Sequence, residues 1–72
     1  MQRLAMINDT VRLTQAIPTL WLKCGEVGVI QSVWKSSPQY YEVEFQRDKS
    51  CPLRALLHAG QLEVIGPAPS SN

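Results

Sequence analysis

A chain of 72 residues is one small domain, and folding at this size removes only about 60% of the extended chain's surface from water. With 44% hydrophobic and 18% charged residues it is globular rather than disordered, and a net charge of +1 excludes a strong field drawing it to nucleic acid or an anionic membrane. Two cysteines, Cys24 and Cys51, are too few for a secreted disulfide scaffold. Met1–Ile7 is too short and too mixed for a signal peptide or for a membrane span, which needs about 20 apolar residues, so the sequence favours the cytoplasm.

Residues 1–8 read as a flexible N-terminal arm, a reading favoured over Met6 as an alternative translation start. After the turn-forming pair Asn8-Asp9, Thr10–Thr14 alternates polar and apolar side chains and predicts a first strand with Val11 and Leu13 on one face. From Gln15 to Glu26 the alternation lapses around Pro18, which predicts a long loop held down by Leu20 and Leu22. Gly25 and Gly28 flank Val27 and mark a turn into a second strand, with a bulge or a close backbone approach at Gly28. That strand runs to Trp34. Ile30 and Val33 lie three apart and share a face only if a bulge or bend intervenes near Gln31.

Lys35–Gln39, with Pro38, predicts a turn, and Tyr40–Gln46 alternates almost perfectly, setting Tyr41, Val43 and Phe45 against Glu42, Glu44 and Gln46. A second polar turn at Gln46–Ser50 precedes a fourth strand over Leu53–Leu57, with Pro52 at its start where a missing donor is tolerated. His58–Gln61 fits one 3₁₀ turn before a last strand at Leu62–Ile65, and residues 66–72 read as a disordered tail. The predicted fold is all-β: a small five-stranded SH3-like barrel over residues 9–65, with a long first loop and a 3₁₀ turn before the last strand. Its predicted core is Val11, Leu13, Val27, Ile30, Val43 and Phe45.

The segments Asp9–Thr14, Leu22–Ile30, Tyr41–Phe45 and Gln61–Ile65 resemble a small single-domain bacterial family of unknown function with an SH3-like barrel. The glycine-valine turn is also similar to KOW modules of ribosomal and transcription proteins and to the small barrel of nitrile hydratase β subunits. The matching positions are turn glycines and core apolar residues, so the resemblance implies a fold and leaves activity open.

Chemistry-bearing residues are sparse. Cys24, Cys51 and His58 lack the close pairing of a four-ligand zinc site, so neither a metal nor a cofactor is expected. Nothing in the spacing of the two thiols, His58 and Asp48 enforces a nucleophile-base geometry, and so small a barrel leaves little volume for a substrate pocket. The expectation is a protein that is not an enzyme. Glu42 and Glu44 read as a solvated face paired across strands with Arg12 or Arg54 rather than as an acid-base couple. Gly25–Gly28 lacks the helix and the lysine of a phosphate loop.

The remaining candidates are aromatic: Trp21 on the long loop, and Trp34 and Tyr40 at the two ends of one hairpin turn. In SH3-like barrels such rings catch peptides or bases. The expected partner-binding set is Trp21, Trp34, Tyr40 and Arg54, in a protein-binding module or accessory subunit of which an antitoxin- or immunity-type protein is one form. The alternative is a KOW- or Tudor-type nucleic-acid barrel using Arg12, Lys23, Lys35, Arg47 and Arg54, opposed by the interleaved Glu26, Glu42, Glu44 and Glu63. Self-association through an incompletely closed edge is a further expectation.

Overall fold

Period-two alternation, which carries successive side chains to opposite faces, builds this molecule. The computed structural model describes residues 5–35, 39–46 and 51–66. Five antiparallel strands, β1 (Thr10–Leu13), β2 (Val27–Trp34), β3 (Tyr40–Phe45), β4 (Leu53–His58) and β5 (Leu62–Gly66), form one sheet in the order β4-β3-β2-β1-β5. In β3 the apolar set Tyr41, Val43 and Phe45 is buried and the intervening residues are half-exposed. The core adds Val11 and Leu13 from β1, Ile30 from β2, Ala55 and Leu57 from β4, Leu62 from β5 and Leu22 from the first loop.

One predicted core residue lies elsewhere. Val27 is 50% exposed, because it pairs with Arg12 on the outer face while Gly28 and Ile30 take the inward positions. Gly28 faces Phe45 across the ladder, and a Cβ there would lie 2.7 Å from Val43 Cγ1, 2.8 Å from the Glu44 carbonyl oxygen and 2.9 Å from Phe45 Cδ1. The two rows of large β3 side chains therefore fill the space that a residue other than glycine would need. Further along β2 the pairing shifts between Ile30 and Ser32, a bulge at Gln31. The extra residue lets Ile30 and Val33 both face inward, Ile30 opposite Val43 and Val33 opposite Tyr41.

The chain enters the sheet through a turn in which Asp9, 4% exposed, accepts the Met6 N–H at 2.8 Å. Asn8 holds the left-handed φ of 76° that asparagine tolerates. Its N–H donates to the Ile30 carbonyl at 2.8 Å, and Ile30 N–H donates to the Asp9 carbonyl at 3.0 Å, so the turn is stitched to β2 before β1 begins.

The loop from β1 to β2 has its own structure. Ile17 and Leu22 exchange both backbone hydrogen bonds, at 2.9 and 3.2 Å, and Pro18–Leu20 between them forms a 3₁₀ turn with proline at its start, where its missing N–H costs nothing. Leu22 is buried, and Ile17 and Leu20 pack against the core from outside. Gly25, with φ of +93°, supplies the left-handed turn whose N–H returns to the Leu13 carbonyl at 2.9 Å.

Between β4 and β5, Ala59–Gln61 forms a second 3₁₀ turn with a reciprocal cap. Gly60 N–H donates to His58 Nδ1 at 3.2 Å, and His58 N–H donates to Gln61 Oε1 at 3.1 Å. Thr14 holds this turn to the first loop, its N–H donating to the Gln61 carbonyl at 3.0 Å and its hydroxyl to the Gly60 carbonyl at 3.0 Å.

The sheet does not close. Among the described residues β4 and β5 are its two edges, so the hydrogen-bonded wall is an open five-stranded sheet rather than a continuous ring. No helix among the described residues is long and apolar enough to cross a membrane. The turn centres at residues 36–38 and 47–50, the first four residues of the arm and residues 67–72 of the tail lie outside the described residues.

Candidate interaction surface

Directly opposed residues of antiparallel strands share a face, so the register gives the outer surface row by row. Trp34 pairs with Tyr40, and Tyr40 with His58, which sets an indole, a phenol and an imidazole side by side across β2, β3 and β4. The next row is Ser32, Glu42 and Leu56, and the third is Val29, Glu44 and Arg54. Trp34 and Leu56 are each 55% exposed, His58 is exposed and Tyr40 half-buried.

One end of this face is therefore aromatic and the other ionic. Ser32 Oγ donates to Glu42 Oε1 at 2.8 Å, while Arg54 lies 3.5 Å from Glu44 and 3.9 Å from Glu42. Glu42 and Glu44 are thus held by a cation across the strands, as their spacing predicts. Arg12 instead meets Glu63, at 2.7 Å, because β1 lies next to β5. That hydrogen bond, reinforced by the attraction of the opposite charges, raises the Arg12 guanidinium above its usual range.

Trp21 occupies a different region. It caps the first 3₁₀ turn in a left-handed conformation, φ 60°, with its N–H donating to the Pro18 carbonyl at 3.1 Å and its side chain 80% exposed. The loop that carries it leads into β2 at Val27, whereas Trp34 ends that eight-residue strand. Trp21 is thus carried by the loop before β2, while Trp34 ends that strand and is tied by register to Tyr40.

His58 and Leu56 complete the outer face and were not in the predicted set. Both are readable from alternation through Arg54, Leu56 and His58, once β4 is extended by one residue beyond Leu57. Cys24 and Cys51 are exposed and not joined in a disulfide, and no three His, Cys, Asp or Glu side chains among the described residues converge on a point that could hold a metal. Arg47 and Asp48 lie outside the described residues.

Against known proteins, the chain matches no family model, no curated protein and no solved structure. What it presents is an all-β scaffold of five antiparallel strands with one solvated aromatic row and one exposed indole on the first loop.

Proposed function

We propose that this chain is an SH3-like small barrel that acts as a non-catalytic protein-binding module or accessory subunit, working in the cytoplasm, with Trp34, Tyr40 and His58 as the centre of its contact face and Arg54 at the rim. The strand order β4-β3-β2-β1-β5, the long loop after β1 and the 3₁₀ turn before β5 support the SH3-like reading and the resemblance to the small bacterial family. The observation that carries the functional reading is the row itself, with Trp34 55% exposed beside Tyr40 in register. Aromatic rings bury large area at little conformational cost, and Trp and Tyr dominate the energetics of protein interfaces.

The basic residues favour a protein over a nucleic acid. Arg12 is engaged by Glu63, and Arg54 by Glu42 and Glu44, so two of the cations a nucleic-acid stripe would need already face carboxylates.

The test is affinity capture with the wild-type protein and Trp34→Ala as baits, with circular dichroism confirming that both fold. A stoichiometric protein held by wild type and weakened at least about 30-fold by Trp34→Ala, the effect of a hot spot of about 2 kcal/mol, supports the proposal. Capture that is indifferent to Trp34, or a mobility shift with nucleic acid that weakens steeply as salt rises, overturns it in favour of the KOW- or Tudor-type alternative.

A further inference from the structure

The two edges of the sheet are not equally protected. Sheet edges expose unpaired backbone donors and acceptors, and monomeric proteins blunt them with charge, proline, bulges or short strands. β5 carries one such device in the strand itself, since its pairing with β1 breaks register between Thr10 and Val11. β4 shows none within its length. Its six residues pair with β3 in an unbroken register from Leu53 to His58, and Pro52 lies just outside. The only formal charge on it, Arg54, is matched by Glu42 and Glu44 of its own sheet, and at its middle Leu56 is 55% exposed.

We infer that β4 pairs antiparallel with β4 of a second copy about a two-fold axis at Leu56, giving a symmetric dimer with a continuous ten-stranded sheet, twice the five strands of one copy. A two-fold interface brings the same patch together from both copies, and keeping the faces aligned requires opposed residues of like parity. Four registers compete, of which an axis on Leu57 pairs only residues 56–58 of the strand. Centring on Arg54 opposes two like charges. Centring on Ala55 sets Pro52, which lacks an N–H, against His58. Centring on Leu56 sets the two exposed leucines against each other and each Arg54 against a His58, leaves Pro52 outside the paired stretch, and opposes no like charges. Pairing length, charge and donor matching together thus select the register that removes Leu56 from water. The seam shares His58 and Arg54 with the proposed contact face, while Trp34 lies two strands away, so Trp34→Ala tests that face and Leu56→Lys tests the seam.

The experiment has two arms. Light scattering coupled to size exclusion, across a concentration series, should find wild type dimeric and Leu56→Lys monomeric with its β-type circular dichroism retained. In a Cys24→Ser/Cys51→Ser background, Leu56→Cys should oxidise readily to a covalent dimer, because residues at the axis have Cα atoms about 4.5–5.5 Å apart, within disulfide range. Arg54→Cys in the same background should not, as its counterpart lies four residues away along the strand, about 13 Å. A monomeric wild type at every concentration, a Leu56→Lys dimer, or equal cross-linking at both positions would overturn the inference. If Leu56→Lys fails to fold, wild-type mass and the cysteine pair decide it.

Discussion

Gly28 gives the sharpest test of the packing. In Gly28→Ala the new Cβ meets Val43 Cγ1 at 2.7 Å, the Glu44 carbonyl oxygen at 2.8 Å and Phe45 Cδ1 at 2.9 Å. None of the three can yield easily, since Val43 and Phe45 are buried in the core and the Glu44 carbonyl is backbone of the adjacent strand. Overpacking of a filled core costs about 1–3 kcal/mol, and three simultaneous contacts put this site near the top of that range. Against this, alanine restricts the unfolded chain and returns about 0.4–1 kcal/mol.

The net expectation is a loss of about 2 kcal/mol, a large part of the total stability of a domain this small. For a chain of this length that lowers Tm by about 8–16 °C. Urea unfolding followed by circular dichroism should show a lower midpoint with an unchanged slope. The double variant Gly28→Ala/Val43→Ala should be less destabilised than the sum of its parts, because removing Cγ1 vacates one of the clashing positions. If Gly28→Ala falls within about 0.5 kcal/mol of wild type, the inward placement of Gly28 against β3 is wrong.

Three further outcomes follow from the same geometry. Trp21→Gly should leave stability unchanged or raise it by up to about 1 kcal/mol in thermal unfolding, since the left-handed backbone favours glycine and the exposed indole contributes little burial; a clear loss would mean that the indole packs on the domain. His58→Ala removes the acceptor for Gly60 N–H and should cost about 0.5–2 kcal/mol by urea titration, as cap deletions do, whereas removal without effect would show that the reciprocal cap is not formed in solution. Breaking the Arg12–Glu63 pair with Arg12→Ala should lower the urea midpoint only slightly, by an amount that shrinks as salt is added, because both side chains are about half exposed and their attraction is screened; a large loss indifferent to salt would refute the reading of this pair as a solvated bridge.

Most of the strands were legible because alternation is a local property. β3 could be read side chain by side chain, and the spacing of Ile30 and Val33 announced the bulge at Gln31. The orientation of Val27 was not legible. A valine between two glycines reads as core by composition, and only the crowding of Val43 and Phe45 around Gly28 decides which residue points in.

Closure is likewise a non-local matter. Five alternating segments suit either a ring or an open sheet, and the difference lies in whether β4 and β5 meet, which no local pattern encodes. For the candidate site, the Trp34–Tyr40 pair follows directly from a hairpin with a short turn. The placement of Trp21 depends on where a long loop is anchored, here by the Ile17–Leu22 bridge, and His58 was hidden by a single-residue difference in where β4 ends.

The bulge at Gln31 has an effect on the protein's exterior that its size belies. Upstream of it the even-numbered positions of β2, Gly28 and Ile30, point inward; downstream the odd-numbered Val33 does, and Trp34 points out. Trp34 is thus presented to solvent by a parity change rather than by any property of the indole. Deleting that one residue would leave a regular ladder in which Val33 still faces the interior and Trp34 still faces water, because Ile30 and Ser32 already oppose the consecutive residues Val43 and Glu42. The sheet thus accommodates one surplus residue at this point while keeping the same side chains on its exterior, so the strand tolerates a change in length without exchanging an aromatic surface for an aliphatic one.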